Sequence, residues 1–460
     1  MHISLRSLPI LLAGLAGILS AVLVAADEAK PSSPEGLRLA TFDLDATPQV
    51  GSRLAYDTMN DVGPLGLRCR GIVMLGAGQP IVLCAVDWIG IANEGHDAFR
   101  ATLAAAAGTI PERVAVHVLH QHDAPICDFS TERILKRENM DTQVFDSTWQ
   151  RRWLKHLGEV VVSSLAKAAP VTHVGWGEGR VEEVASNRRV MGPDGKVAGV
   201  RYTACKDEAL RAAPEGTIDP MATAVSFWNG DRPLVVLTYY ATHPQSYYRT
   251  GIANPDFPGM ARYFREQELS LLHVHFTGAG GNIGAGKYND GSPAMRPLLA
   301  KRLAAGLKKA WDGSQKQPIT AADVSWKITG VSLPPAAGLK AEELREKLKT
   351  TDGILSTAMQ MAWLERCQQG HRIELQRLRL GNVDILHFPG ELFVEYQLEA
   401  KRLAASRHVA FAAYGDYGPG YIGTEVSYGE GGYETQPTSS FVAPSVEPLL
   451  MSGLKGLLAD

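Results

Sequence analysis

The sequence predicts an α/β fold with a large mixed β-sheet core flanked by helices. Short apolar runs alternate along the chain with amphipathic stretches of helical period, as in α/β proteins. Two longer β segments, Thr172–Glu183 and Asp323–Leu333, add antiparallel pieces, so the sheet should be mixed rather than purely parallel. No internal repeat or obvious interdomain linker breaks the pattern, and the 460-residue chain is long enough for a large core. The simplest arrangement is one large mixed sheet.

The N-terminus has Arg6, an apolar stretch from Leu8 to Val24, and small residues Ala25 and Ala26 before Asp27. This has the layout of a secretory signal peptide over residues 1–26. The mature chain, residues 27–460, is then expected to be secreted or periplasmic, with no integral membrane segment after cleavage. An uncleaved anchor is the alternative, because the run is only slightly short of a full span. Residues 27–38 form a polar lead-in. Strands are expected over Gly71–Leu75, Ile81–Asp87, Val114–His120, Thr223–Trp228, Leu234–Tyr240, His273–Thr277, Val383–Phe388 and His408–Ala413. Helices are expected over His96–Ala107, Ser147–Ala168, Pro258–Leu269, Met295–Ala310, Leu355–Gln369 and Leu392–Ala405. The turn-rich segment Gly313–Ala321 is a candidate boundary.

The formal net charge is −3 with both signs mixed along the chain, which points away from nucleic acid and anionic membrane surfaces as partners. The five cysteines are widely scattered and form neither a disulfide framework nor a zinc-finger spacing.

The most informative stretch is Val114–Pro125, VAVHVLHQHDAP, with three histidines where an apolar run ends. In an extended chain Val114, Val116, Val118, His120 and His122 would share one face, with His117 on the other. Strand ends are where α/β proteins place ligands and chemistry. Comparable polar residues follow other apolar runs: Ala241-Thr-His243, Pro389-Gly-Glu391, and the glycine–tyrosine segment Tyr414–Thr424. Together they offer nitrogen and oxygen ligands from four strand ends, which suits a catalytic Zn²⁺ with an open position. Other motifs fail. Gly281–Lys287 fits the start of a phosphate-cradling loop, but Tyr288 cannot supply the small hydroxyl and no helix follows. G-x-S-x-G and H-E-x-x-H are both absent.

In order and wording these pieces resemble the catalytic domain of neutral ceramidases, from about Phe42 onward. Leu119-His-Gln-His-Asp-Ala-Pro125 is similar to the family's His-Thr-His-Ser-Gly-Pro segment, and Ser186-Asn-Arg188 to its Phe-Asn-Arg segment. Ala241-Thr-His243 and Pro389-Gly-Glu391 match literally. Gly278-Ala-Gly-Gly-Asn-Ile-Gly284 resembles Asn-Ala-Gly-Asn-Met-Ser, Gly420-Tyr-Ile-Gly-Thr424 resembles Gly-Tyr-Val-Thr-Thr, and Tyr433-Glu434 matches a downstream Tyr-Glu pair. The resemblance implies Zn²⁺ held by His120, His243, Glu391 and Tyr421. It places His122 beside the metal as the proton-handling residue, with Arg188 and Tyr433 on the reacting carbonyl or its oxyanion. The implied activity is an exported zinc-dependent hydrolase of amide (N-acyl) or ester bonds, with zinc-bound water as nucleophile and a small-molecule or lipid-like substrate.

The chain also departs from the family pattern. Gly284, or nearby Ala285, stands where the family has a serine, which removes a side-chain nucleophile there. Asp123 stands in place of the serine after His-x-His, adding negative charge near the site. No C-terminal β-sandwich domain is expected after Tyr433-Glu434. Two alternatives follow: a non-catalytic exported binding protein retaining the fold, or a metallohydrolase acting on another bond such as a phosphoester.

Overall fold

The structure, a computed structural model, describes residues 36–140, 147–350 and 353–459. The signal-peptide expectation for residues 1–26 lies outside the described residues. The expected α/β class holds, but the β core is divided among three sheets rather than gathered in one.

The first sheet orders its strands Val114–Val118, Ile81–Val86, Arg68–Leu75, Arg38–Asp45 and Ala169–Pro170. The second runs His273–Thr277, Arg232–Tyr240, Met221–Asn229, His173–Arg180 and Gln315–Pro318. The third runs Val324–Val331, Ile373–Leu380, Val383–His387 and His408–Ala412. All three follow the same plan, antiparallel ladders closed at one edge by a parallel pair. A parallel pair needs a crossover, and helices Asn93–Ala107, Asp256–Leu269 and Val394–Leu403 lie in the three connections.

The turn-rich segment Gly313–Ala321 is not a boundary. Gln315–Pro318 pairs antiparallel with His173–Arg180 as an edge strand of the second sheet, where a proline is tolerated.

One apolar core lies among the three sheets. Leu83 and Ala115 from the first meet Phe227, Leu237 and Phe276 from the second and Ile385 and Ala410 from the third. Alternate residues of the same strands face outward and bury helices. Val82, Cys84 and Val116 sit in a second cluster with Phe99, Leu103, Leu157 and Val161, while Ala222 and Tyr240 join Phe257, Ala261, Leu303 and Leu307 in a third. Burial on both faces explains why the central strands read as continuous apolar runs. The Val446–Leu458 helix contributes Leu450, Leu454 and Leu457 to the core beside Val331 and Leu375. No helix among the described residues is long and apolar enough to cross a membrane.

Candidate metal centre and active site

The candidate site residues follow the C-terminal ends of strands in all three sheets. On the first sheet, the ladder ends at Val118. The Leu119 and His120 amides donate to the Val86 and Trp88 carbonyls at 2.9 Å each, and His120 takes a left-handed conformation with φ 70°. This turn breaks the extended alternation, so His120 and His122 do not share a strand face. They nevertheless converge, with ring centroids 5.1 Å apart. His120 Nδ1 lies 2.6 Å from the Ile89 carbonyl oxygen. A carbonyl only accepts, so Nδ1 carries a proton and Nε2 is turned toward the other site residues.

His243 follows the Arg232–Tyr240 strand of the second sheet, its amide donating to the Ile283 carbonyl at 3.0 Å. Its ring makes a backbone hydrogen bond at Gly280. Its Nε2 lies 3.0 Å from His122 Nε2 and 3.7 Å from Glu391 Oε2. Burial, reinforced by His120 and Arg188, pushes the pKa of both His122 and His243 well below the ordinary histidine value, so both are neutral. The ring nitrogens of buried His120, His122 and His243 lie within 4.8 Å of one another and could hold a metal ion.

Glu391 follows the Val383–His387 strand of the third sheet and pairs with Tyr421 in a short parallel bridge. Its Oε1 accepts from the Tyr417 hydroxyl at 2.8 Å. Its Oε2 sits 3.2 Å from His120 Nε2, and neither buried atom has a hydrogen-bond partner. Tyr421 accepts a hydrogen bond from Arg188 Nη1 at 3.1 Å, and its ring lies parallel to that of His243 with centroids 6.2 Å apart.

Arg188 is buried next to the short strand pair Ser186–Asn187 and Ile283–Gly284. Burial alone would lower its pKa, but Tyr421 and Glu434 outweigh it and hold the guanidinium firmly charged. Glu434 Oε1 lies 3.4 Å from Arg188 Nε. Tyr433, 38% exposed, stands at the mouth, its ring 5.8 Å from Tyr421 and 5.8 Å from the Arg188 guanidinium.

Two cavities meet at these residues. One of about 220 Å³ has an apolar wall of Ile89, Ile126, Met359 and Phe441 beside His120 and Glu391. The other, about 440 Å³, is lined by Arg188, Tyr202, Thr203, Gln245 and Tyr248. Tyr56, His122, Tyr421 and Tyr433 border both.

His117 lies apart from this cluster. Its Nδ1 bonds the Ala413 carbonyl at 2.7 Å and its Nε2 contacts His387 Nδ1 at 2.9 Å, while burial lowers its pKa to about 3. Asp123 is turned to a loop rather than left as a free charge, accepting from the amide and hydroxyl of Thr250. Gly284 has no side chain, and a Cβ there would lie 3.3 Å from Arg188 Cγ. Lys287 donates to the carbonyls of Arg211 and Ala213 at 2.9 and 2.6 Å, which accounts for it without a phosphate.

Sequence reasoning missed several neighbours. Tyr56 stacks on His122 at 5.6 Å, Tyr414 stacks on His120 at 4.7 Å, and Gln245 Nε2 lies 3.0 Å from His122 Nδ1. The glycine–tyrosine segment hinted at Tyr414 and Tyr417. Tyr56 and Gln245 carry no local signal.

Fold and site together define an α/β scaffold that gathers imidazoles and a carboxylate at the strand ends of three sheets. That scaffold is the neutral ceramidase fold. The chain superposes on a ceramidase solved in complex with C2 with a TM-score of 0.65 at 16% identity, covering 92% of this chain and 75% of that one. The neutral ceramidase from Pseudomonas aeruginosa gives a TM-score of 0.64 at 16% identity, covering 92% of this chain and 74% of that one. No family model and no curated protein sequence matches the chain.

Proposed function

We propose that this protein is an exported zinc-dependent hydrolase of amide (N-acyl) or ester bonds acting on a small-molecule or lipid-like substrate. The observation that carries the reading is the convergence of His120 Nε2 and His243 Nε2 on buried Glu391 Oε2, at 3.2 and 3.7 Å, with His120 Nε2 and Glu391 Oε2 lacking hydrogen-bond partners. Buried polar atoms left facing each other in this way are costly, and a shared cation removes the cost. The separations of 3.2 and 3.7 Å from Glu391 Oε2 to the Nε2 atoms of His120 and His243 suit one small ion. Tetrahedral ligands about 2.0–2.2 Å from a zinc ion lie roughly 3–4 Å apart. His120, His243 and Glu391 would hold the zinc, with Tyr421 as the fourth ligand that the family resemblance implies.

Bound zinc would supply Lewis acidity toward a carbonyl and a lowered pKa for nearby water. The chain's own residues do the rest. His122, neutral and between the two cavities, takes a proton at Nε2 from the attacking water and returns it to the departing amine. Arg188 and Tyr433 border the same cavity and stabilise the oxyanion as charge develops, usually the largest catalytic contribution. With no side chain at Gly284, water is the attacking group.

Metal analysis of the purified protein tests this directly. Wild type should carry one zinc per chain, or take it up when zinc is supplied, and His120→Ala should not. A wild type that binds no zinc overturns the proposal. The bare Gly284 position favours a second reading, a binding protein without chemistry. Stoichiometric zinc with no turnover of any amide or ester would select it.

A further inference from the structure

Arg249 is an exposed arginine in the left-handed region, with φ 56°. A residue with a Cβ takes that conformation at a cost, and it persists where surrounding contacts hold it. Here the holder is Asp123, the residue after His122. Its buried carboxylate accepts from the backbone amides of Arg249 and Thr250, the latter at 3.1 Å, and from the Thr250 hydroxyl. The turn lays the guanidinium over the rings of Tyr56 and Tyr248, 5.5 and 5.7 Å from their centres. Those two rings meet edge to face at 5.2 Å, and Tyr56 is itself stacked on His122 at 5.6 Å. Among the described residues no carboxylate pairs with Arg249. Ring faces engage its charge, which leaves the N–H donors for a planar anion.

The two cavities differ in character. Tyr56 and Tyr248 line the one of about 440 Å³, whose wall includes buried Arg188 and no acidic side chain among the described residues. The one of about 220 Å³ has the apolar wall and the Glu391 carboxylate. An acyl chain suits the apolar cavity, which leaves the amine portion of the substrate in the tyrosine-lined one, under the Arg249 cation. We infer that Arg249 binds a carboxylate on that amine portion, and that the substrates are N-acyl amino acids. The guanidinium fork matches a carboxylate with two parallel hydrogen bonds. This rests on the proposed hydrolase reading: water adds to the acyl carbon and the C–N bond breaks. The acyl part leaves as a carboxylic acid, and the nitrogen takes a proton to give a free amino acid.

The test compares N-hexanoyl-phenylalanine with N-hexanoyl-phenethylamine, which differ only in the carboxylate. Zinc-loaded wild type should hydrolyse the acid with kcat/KM at least about tenfold higher, the scale of a hydrogen bond to a charged group. The preference should shrink as salt is raised toward 1 M, where the screening length is about 3 Å. Arg249→Gln should bring the two compounds to equal kcat/KM. Equal or slower hydrolysis of the acid by wild type, or a preference that survives in Arg249→Gln, overturns the inference. If wild type turns over neither compound, the hydrolase reading fails, and calorimetric binding of the same pair decides the carboxylate site. Wild type should then bind the acid about tenfold more tightly than the uncharged compound, and Arg249→Gln should bind both alike. Equal binding by wild type, or none, overturns the assignment of Arg249.

Discussion

His120 and His122 are two residues apart but have different surroundings, and their substitutions should separate accordingly. His120 Nδ1 is tied to the Ile89 carbonyl, which aims Nε2 at Glu391, whereas His122 hangs from a side-chain amide and borders both cavities. His122→Ala should therefore keep zinc but cut turnover by roughly 10²–10⁴, the scale of a positioned acid–base group. His243→Ala should lose metal and activity together. Parallel zinc analysis and kinetics check both, and release of zinc by His122→Ala would reassign that ring as a ligand. With Gly284 lacking a side chain, no acyl-enzyme should accumulate. Stopped-flow assay with an activated ester should show no burst, and a covalent adduct on a serine, threonine or cysteine would refute direct attack by water.

Glu391 is delivered by a turn that a side chain would spoil. Gly390 has φ 60°, and a Cβ there would lie 2.6 Å from the Gly420 carbonyl oxygen, across the bridge that joins Glu391 to Tyr421. Gly390→Ala should cost about 1–3 kcal/mol through backbone strain, read as a lower melting temperature. It should also weaken zinc binding at least about tenfold by displacing the carboxylate, measurable by chelator competition. Unchanged metal affinity would mean that Glu391 is not a ligand. Several elements were legible because their signals are local: the His273–Thr277 strand lies where its apolar run predicts, and the Met295–Asp312 helix begins at the expected residue. The His-x-His strand was read two residues too long because the left-handed turn at His120 leaves no mark in an apolar–polar pattern.

Across the molecule, burial has left several histidines unable to ionise, and this sets the pH response. His117 and His275 are lowered to about 3 and His273 to about 4 from an ordinary 6.5, each mainly by burial. Their folded pKa lies below the unfolded one, so their contribution is fully present above about pH 6.5. It is lost as the pH falls, because only the unfolded chain takes up the protons. Asp128 and Asp256 act oppositely. Burial raises them from 3.8 to about 6, so the native state gains protons there that the unfolded chain does not. The urea midpoint should accordingly fall from pH 7 toward pH 5, steepest just below 6.5 and blunted below 6. Each net proton is worth about 1.4 kcal/mol per pH unit. A flat profile over that window would contradict the burial of these rings.

Local pattern reaches a certain distance into this protein. Period-two and helical runs were enough to indicate an α/β scaffold, and the histidines and Pro-Gly-Glu at strand ends, with the family resemblance of the ordered motifs from His120 to Tyr433, pointed to a candidate metal site. The runs depend on neighbours a few residues apart, where backbone geometry alone decides which side chains meet. The division of the β core into three sheets, the pairing of Gln315–Pro318 with His173–Arg180, and the placing of Tyr56, Gln245 and Glu434 around His122 and Arg188 depend on contacts between segments far apart in the chain. Such contacts follow from how whole apolar faces close over one another, a choice made by the packing of the assembled core and encoded in no short stretch of residues.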